Sequence, residues 1–179
     1  IMNRLNYLTS ESEELIPDII VELRSTLKSG GIKVLEISGR IKTPFSIWKK
    51  MQRSNVSMDQ LSDIMAFRIL VDNKSQCYQS LGLIHASYPS VMGRFKDYIS
   101  TQKRNGYQSI HTGVIGPFKQ KIEIQIRTLE MHSIAEAGIA AHWAYKTGFK
   151  EKTNYNYNWV KDLVSILDQE HSPEDFLEN

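Results

Sequence analysis

Two apolar runs set the expected architecture of this chain. Asp63-Ile-Met-Ala-Phe-Arg-Ile-Leu-Val71 is almost continuously apolar, whereas Ile122-Glu-Ile-Gln-Ile-Arg127 alternates residue by residue. The first predicts a strand over 63–71 buried on both faces, the second a strand with one polar face. The alternating strand extends over Lys119–Arg127 and pairs as a hairpin with Tyr107–Val114 through Gly116-Pro117. Another strand is expected over 32–39. A helix is predicted over 10–29, with Ser10 or Ser12 as its cap, acids in its first turns and Gly30-Gly31 as its stop; Pro17 inside it predicts a break or kink. Thr43-Pro44 reads as a cap and first-turn proline opening a helix to Arg53. A helix over 74–87 ends before Pro89, and 89–104 reads as a loop. Thr128–Tyr145 is a helix rich in small residues, followed by a polar linker over 146–156, an amphipathic helix over 157–169 and an acidic tail. The sum is an α+β fold, a mixed β-sheet flanked by helices, with a domain over 1–150 and a C-terminal helix and tail over 151–179.

Charge adds a second pattern to this outline. The whole chain nets +2, yet the stretch from Arg40 to Arg127 holds fourteen lysines and arginines against five acids, Asp59, Asp63, Asp72, Asp97 and Glu123. Scarce carboxylates among many cations suit chemistry on a polyphosphate bridged by a divalent metal. Composition is otherwise ordinary, with 41% hydrophobic and 23% charged residues. No apolar run approaches the length of a membrane span, and the chain does not open with a signal-peptide pattern. One cysteine, Cys77, precludes an internal disulfide, fits a reducing cytoplasm, and reads as core packing. The opening Ile1-Met2 suggests a piece of a longer protein.

Strand parity gathers the chemistry. Glu123, Gln125 and Arg127 share one face of their strand, and Tyr107, Ser109 and His111 share one face of the partner. Such a set is either the solvated side of an antiparallel sheet or a site. Asp63 favours the site, because an acid leading a buried strand needs a partner or a metal; with Glu123 it would make a two-carboxylate Mg²⁺ site. Arg68 has the opposite parity to Asp63, so it joins that site through a bulge or serves as a structural ion pair. Ser46, Lys49, Lys50 and Arg53 form a polar helix stripe just after Arg40 and Lys42. It is a solvated face or, with the helix N-terminus, a triphosphate cradle. Gly39-Arg40 lacks Walker spacing, so it is not a P-loop. Arg94-Phe95-Lys96-Asp97 and Lys103-Arg104-Asn105-Gly106-Tyr107 interleave cations with aromatics, as a nucleotide site or a basic RNA-contacting loop would. The five histidines make no metal-binding motif, which disfavours zinc chemistry and an HD-type hydrolase. His85, His132 and His142 read as satisfied core residues.

Four stretches coincide in order and spacing with one family: Gly39–Met51, Asp63–Arg68, Gly93–Ile99 with Asn105–Thr112, and Glu123–Thr128 running into Ala135–Lys146. Over about residues 20–146 the chain resembles the synthetase domain of the RelA/SpoT stringent-response enzymes. That resemblance implies a nucleotidyltransferase-like fold and transfer of pyrophosphate from ATP to the 3′-hydroxyl of GDP or GTP, with Mg²⁺ as cofactor. It implies Asp63 and Glu123 as catalytic residues and metal ligands, with Glu123 as ligand or base. Arg40, Lys42, Ser46, Lys50 and Arg68 would bind ATP. Arg94, Lys96, Lys103, Asn105, Tyr107, His111 and Gln125 would bind GDP or GTP, Tyr107 by stacking on guanine.

The Arg94–Asp97 loop matches the basic form that accompanies bifunctional members of the family. Phe45 replaces the usual tyrosine and Gln102 the usual proline. Nothing matches the family's hydrolase domain, and His171–Asn179 resembles the approach to its regulatory domains, through which ribosome and tRNA contacts would be made. Two other readings stay open: a non-catalytic nucleotide- or RNA-binding remnant, and a pyrophosphotransferase for another acceptor, such as adenosine nucleotides or the tRNA 3′ end.

Overall fold

The computed structural model describes residues 2–43, 47 and 64–147, with side-chain surroundings for 11–43, 47 and 64–138. The chain begins with helix α1 (Met2–Ser29), then strand β1 (Val34–Ile41). Strand β2 (Met65–Val71) is followed by helix α2 (Lys74–Ser87) and the two-residue strand β3 (Lys96–Asp97). Strands β4 (Ile110–Ile115) and β5 (Lys121–Thr128) are joined by a 3₁₀ turn at Pro117–Lys119, and helix α3 (Leu129–Thr147) closes the described chain. The five strands form one sheet in the order β1-β2-β5-β4-β3. β2 and β5 run parallel and every other neighbouring pair is antiparallel, so the sheet is mixed as expected.

Register explains why one face is the core. Met65, Phe67 and Ile69 lie beside Ile122, Ile124 and Ile126, and Ile110 and Val114 beside Ile126 and Ile122. All are buried, and Ile19, Leu23 and Leu27 of α1 with Cys77 and Ile84 of α2 cover them in one cluster. Burying an aliphatic side chain of this size contributes about 2 kcal/mol. Close approach of α1 depends on Gly39, where a Cβ would fall 2.7 Å from the Phe67 ring and 2.8 Å from Ile16. Gly31, at φ +80°, supplies the left-handed residue that stops α1.

Several boundaries differ from expectation. α1 begins at Met2, so Ser10 and Ser12 lie inside the helix and cap nothing, and the helix runs through Pro17 without ending. Proline costs that turn one hydrogen bond, but Ile19, Leu23 and Leu27, all fully buried, hold the segment after it on the sheet. β1 starts later than 32 and ends at Ile41, which puts Arg40 on a strand. Tyr107 and Ser109 precede β4 rather than lying in it, and part of the expected 89–104 loop pairs as β3. α2 spans its predicted residues, and the Asn73 side chain caps it by accepting from the Gln76 N–H at 3.0 Å. The expected helix over 44–53 lies outside the described residues except for Ile47, which is helical, buried, and donates its N–H to the Thr43 carbonyl at 3.0 Å. The expected strand start at Asp63, the linker over 148–156, the helix over 157–169 and the tail also lie outside them.

Candidate active site

The other sheet face is polar because the same alternation that sends isoleucines inward sends Glu123, Gln125 and Arg127 outward from the core. Across the sheet, Glu123 lies between Ala66 on β2 and Gly113 on β4, two small neighbours that leave space around its carboxylate. Gln125 lies between Arg68 and His111, and His111 pairs in turn with Lys96 of β3. Arg40 sits beside Ala66, one place beyond Glu123 in the same row. Lys42 follows β1 directly, and its N–H donates to the Ile64 carbonyl at 2.9 Å.

The side chains on this face form a continuous hydrogen-bonded network. Lys42 Nζ donates to Glu123 Oε2 at 2.8 Å, and Gln125 Nε2 donates to Glu123 Oε1 at 3.1 Å. One guanidinium nitrogen of Arg127 donates both to Gln125 Oε1 and, at 3.0 Å, to the Tyr107 hydroxyl. That hydroxyl is 2.8 Å from His111 Nε2. Tyr107 and His111 are each 6% exposed, and Tyr98 meets both rings edge-on. Lys103 Nζ lies 4.6 Å from the Tyr98 ring centre and 5.5 Å from that of Tyr107.

Burial and neighbouring charge then fix the protonation states. Burial alone would push the Glu123 carboxyl up, but the Lys42 ammonium and the hydrogen bonds from Lys42 and Gln125 bring it below its ordinary value. Glu123 is therefore an ionised carboxylate at neutral pH. Burial pushes the His111 imidazole down to about 4, helped by Arg127, Lys103 and Lys96 and opposed by Glu123, so it is neutral. Burial raises the Tyr107 phenol and lowers the Arg127 guanidinium, which stays charged.

Of the residues expected to act, Lys42, Glu123, Gln125, Tyr107 and His111 are thus brought together. Arg40, Arg68 and Lys96 lie on the same sheet face, and Lys103 packs against the Tyr98 and Tyr107 rings. Arg68 needs no bulge in β2 to reach this face; its guanidinium pairs with Glu36 at 3.2 Å and Glu136 of α3 at 3.8 Å. Asn105 accepts the Tyr107 N–H at 3.0 Å, so it shapes the turn that places the ring. Arg94 packs its stem over Gly113. Asp63, Ser46 and Lys50 lie outside the described residues.

Asp97 ties down its turn, accepting from the Ile99 and Ser100 N–H groups and from the Tyr78 hydroxyl. Cys77 is a buried core residue as expected, its thiol pushed up to about 11, whereas His85 is only half-buried, though satisfied by its hydrogen bond to Thr112 at 2.7 Å. His132 departs from that reading, since its buried Nδ1 has no hydrogen bond and only Glu136 at 3.9 Å. Arg127 was visible on the polar face of its strand, but nothing in the sequence marked it as the link between Tyr107 and Gln125.

The donor set can be tested against a divalent cation. Among the described residues no group of three or more His, Cys, Asp or Glu side chains converges. Mg²⁺ is usually held by one or two carboxylates plus substrate phosphates rather than by an all-protein cage. An ionised Glu123 on a cationic face fits that role as one oxygen donor.

Residues 39–150 match the family model described as the region found in RelA/SpoT proteins. The chain is 44% identical over 177 residues to a GTP pyrophosphokinase of Myxococcus xanthus, covering 98% of this chain and 23% of that protein. It is 46% identical over 138 residues to a GTP pyrophosphokinase of Escherichia coli K12, covering 77% of this chain and 18% of that one. The chain thus spans about a quarter or less of the length of these relatives. Small alarmone synthetase 2 of Bacillus subtilis superposes with a TM-score of 0.62 at 23% identity, covering 93% of this chain and 89% of that one. Small alarmone synthetase 1 of the same organism, bound to pppGpp, gives 0.55 at 22% identity, with 94% and 95% covered. These structures show the fold to be nucleotidyltransferase-like. No helix among the described residues is long and apolar enough to cross a membrane. The chain belongs to the RelA/SpoT family.

Proposed function

We propose that this chain transfers the pyrophosphoryl group of ATP to the 3′-hydroxyl of GDP or GTP, giving AMP and guanosine tetra- or pentaphosphate. The observation that carries this reading is Glu123: an ionised carboxylate on a cationic sheet face, bonded by Lys42 and Gln125 and flanked by Ala66 and Gly113. Family membership and relatives named GTP pyrophosphokinase support the substrates.

In this reading Tyr107 and His111 receive the acceptor nucleoside, and Arg94, Lys96 and Lys103 meet its phosphates. A base stacking on Tyr107 needs room that its 6% exposure does not offer, so Lys103, over the ring, turns toward the phosphates. Arg40, Lys42, Ser46, Lys50 and Arg68 serve ATP, Arg68 exchanging Glu36 and Glu136 for the nucleotide. Glu123 accepts the proton of the 3′-hydroxyl. The ribose oxygen bonds to the β-phosphorus while the bond from that phosphorus to the α,β-bridging oxygen breaks, and AMP leaves. Asp63 and Glu123 would hold Mg²⁺, which when bound neutralises phosphate charge. The protein's own share is positioning and charge complementarity.

The test is γ-³²P-ATP with GDP and Mg²⁺ added to the intact chain. Labelled guanosine tetraphosphate is expected from the wild type and none from Asp63→Ala. No product from the folded chain, under conditions where a family GTP pyrophosphokinase makes it, would overturn the reading for this chain. Running ADP and tRNA as competing acceptors tests whether guanine is the preferred base.

A further inference from the structure

Arg127 is a buried charge with unusual company. It is 5% exposed, it makes no salt bridge among the described residues, and its Nε has no hydrogen-bond partner. Its guanidinium donates instead to two neutral groups, the Tyr107 hydroxyl and Gln125 Oε1, and stands 5.3 Å from the Tyr107 ring centre. A buried cation without a paired anion is costly, and on a strand whose other buried side chains are Ile122, Ile124, Ile126 and Thr128 an apolar residue would serve packing better.

We propose that Arg127 is a positioning residue whose two donated hydrogen bonds fix the direction of both halves of the site, Gln125 with Glu123 on one side and Tyr107 with His111 on the other. Its kinetic consequence rests on the pyrophosphotransfer reading; the hydrogen-bond directions do not.

The direction follows from what each group is able to do. A guanidinium only donates. Gln125 must therefore turn its carbonyl oxygen to Arg127 and its NH₂ to Glu123, whose carboxylate only accepts. The flipped amide would set NH₂ against the guanidinium and oxygen against the carboxylate, losing both bonds. On the other side the Tyr107 oxygen already accepts from Arg127, and we assign its own proton to His111 Nε2 at 2.8 Å, since an Nε2–H there would make the same oxygen accept twice. Nε2 is then the unprotonated nitrogen, and the neutral imidazole carries its proton on Nδ1. One cation thus sets an amide, a phenol and a tautomer, and holds Glu123 in a fixed relation to the acceptor pocket.

Histidine ¹⁵N labelling of the intact chain with long-range ¹H–¹⁵N correlation reads the tautomer directly, His111 being assigned by its loss in His111→Gln. The wild type should show His111 protonated on Nδ1, and Arg127→Met should show a shifted tautomer ratio. In the transfer assay Arg127→Met should lower kcat/KM for GDP by about 10²-fold while KM for ATP stays within about twofold. Arg127→Lys, which keeps the charge but lacks the planar fork, should recover less than about tenfold of that loss. A wild-type His111 protonated on Nε2 would overturn the proposal, and that measurement needs no variant to fold. So would a folded Arg127→Met with wild-type tautomer and wild-type kinetics, which would make Arg127 a strut only. Absence of transfer by the wild type would sink the functional reading and leave the tautomer result to decide this one.

Discussion

Strand β5 carries Ile122, Ile124 and Ile126 to one face of the sheet and Glu123, Gln125 and Arg127 to the other, and different physics holds the two sets. On the apolar face each residue contributes through area and volume, without direction, and its neighbours can partly fill in for it. On the polar face every bond has a donor and an acceptor, so changing one group alters what its neighbour must do. The difference teaches where tolerance lies. The first face should absorb conservative change at a cost in stability alone, and the second should transmit it to function.

Glu123→Gln tests the polar side most sharply. It keeps the volume and an acceptor for Lys42 but removes the base, so transfer should fall on the order of 10³-fold or more. Thermal unfolding should lose only about 1.5–3 kcal/mol, the worth of a hydrogen bond to a charged partner. Equal losses in both measurements would erase the distinction between the faces. Phe67→Ala is the converse. It empties a site of 1% exposure beneath β1 and α1, and should cost about 3 to 5 kcal/mol in urea unfolding. Activity per folded molecule, measured at low temperature, should stay near that of the wild type; a drop matching Glu123→Gln would mean that the core face also sets the site.

The same contrast governs what was legible in the sequence. Strict alternation in Ile122–Arg127 left one reading of which residues face inward, and the continuous run before Val71 predicted burial on both faces; both strands formed, β5 starting at Lys121 because Lys119 belongs to the 3₁₀ turn. The β4–β5 hairpin was legible from the turn at Gly116-Pro117, and it formed; the other pairings were not legible. The parallel contact of β2 with β5 sets Arg68 beside Gln125, and neither residue's local pattern specifies it. Pro17 misled because a local penalty was outweighed by three buried aliphatic side chains later in the same helix. At the site, residue types were readable as a set, since Glu123, Tyr107 and His111, picked out by strand parity and by the family motif, meet in one hydrogen-bonded network. Arg127 was not readable as the hub, because its role arises from a tertiary meeting with Tyr107 twenty residues earlier in the chain.

Acid should separate the faces again. His111 titrates at about 4 in the folded protein against an ordinary 6.5, so between those values the unfolded chain binds the extra proton. Its stabilisation is complete above about pH 6.5 and is lost as pH falls through about 4, amounting to a few kcal/mol. Urea midpoints measured from pH 7 to pH 4 should therefore fall, and His111→Gln should flatten the part of that slope due to this group. Carboxylates such as Glu123 contribute to the remainder, so the difference between the two profiles is the readout. Identical slopes would show that the imidazole is not kept neutral by its burial. The apolar face offers no comparable group, as its Cys77 thiol, pushed up to about 11, stays protonated throughout.

The smallest expected effect probes the seam where the polar face meets the 91–94 turn. Gly113 is the strand neighbour of Glu123, and a Cβ there would fall 2.9 Å from Arg94 Cβ and 3.1 Å from its Cγ. These atoms sit at the root of the arginine, so relief requires the turn itself to move, and the Val91 N–H is bonded to the Gly113 carbonyl at 2.8 Å. Gly113→Ala should cost about 1 kcal/mol of stability by overpacking. It should also raise KM for GDP several-fold, because the Arg94 stem is displaced from over Gly113, while KM for ATP is unchanged. An apolar-face substitution of equal stability cost, Ile124→Val, should leave both KM values alone, so a matching rise in that variant would show that stability, and not the placement of Arg94, is what the assay reads.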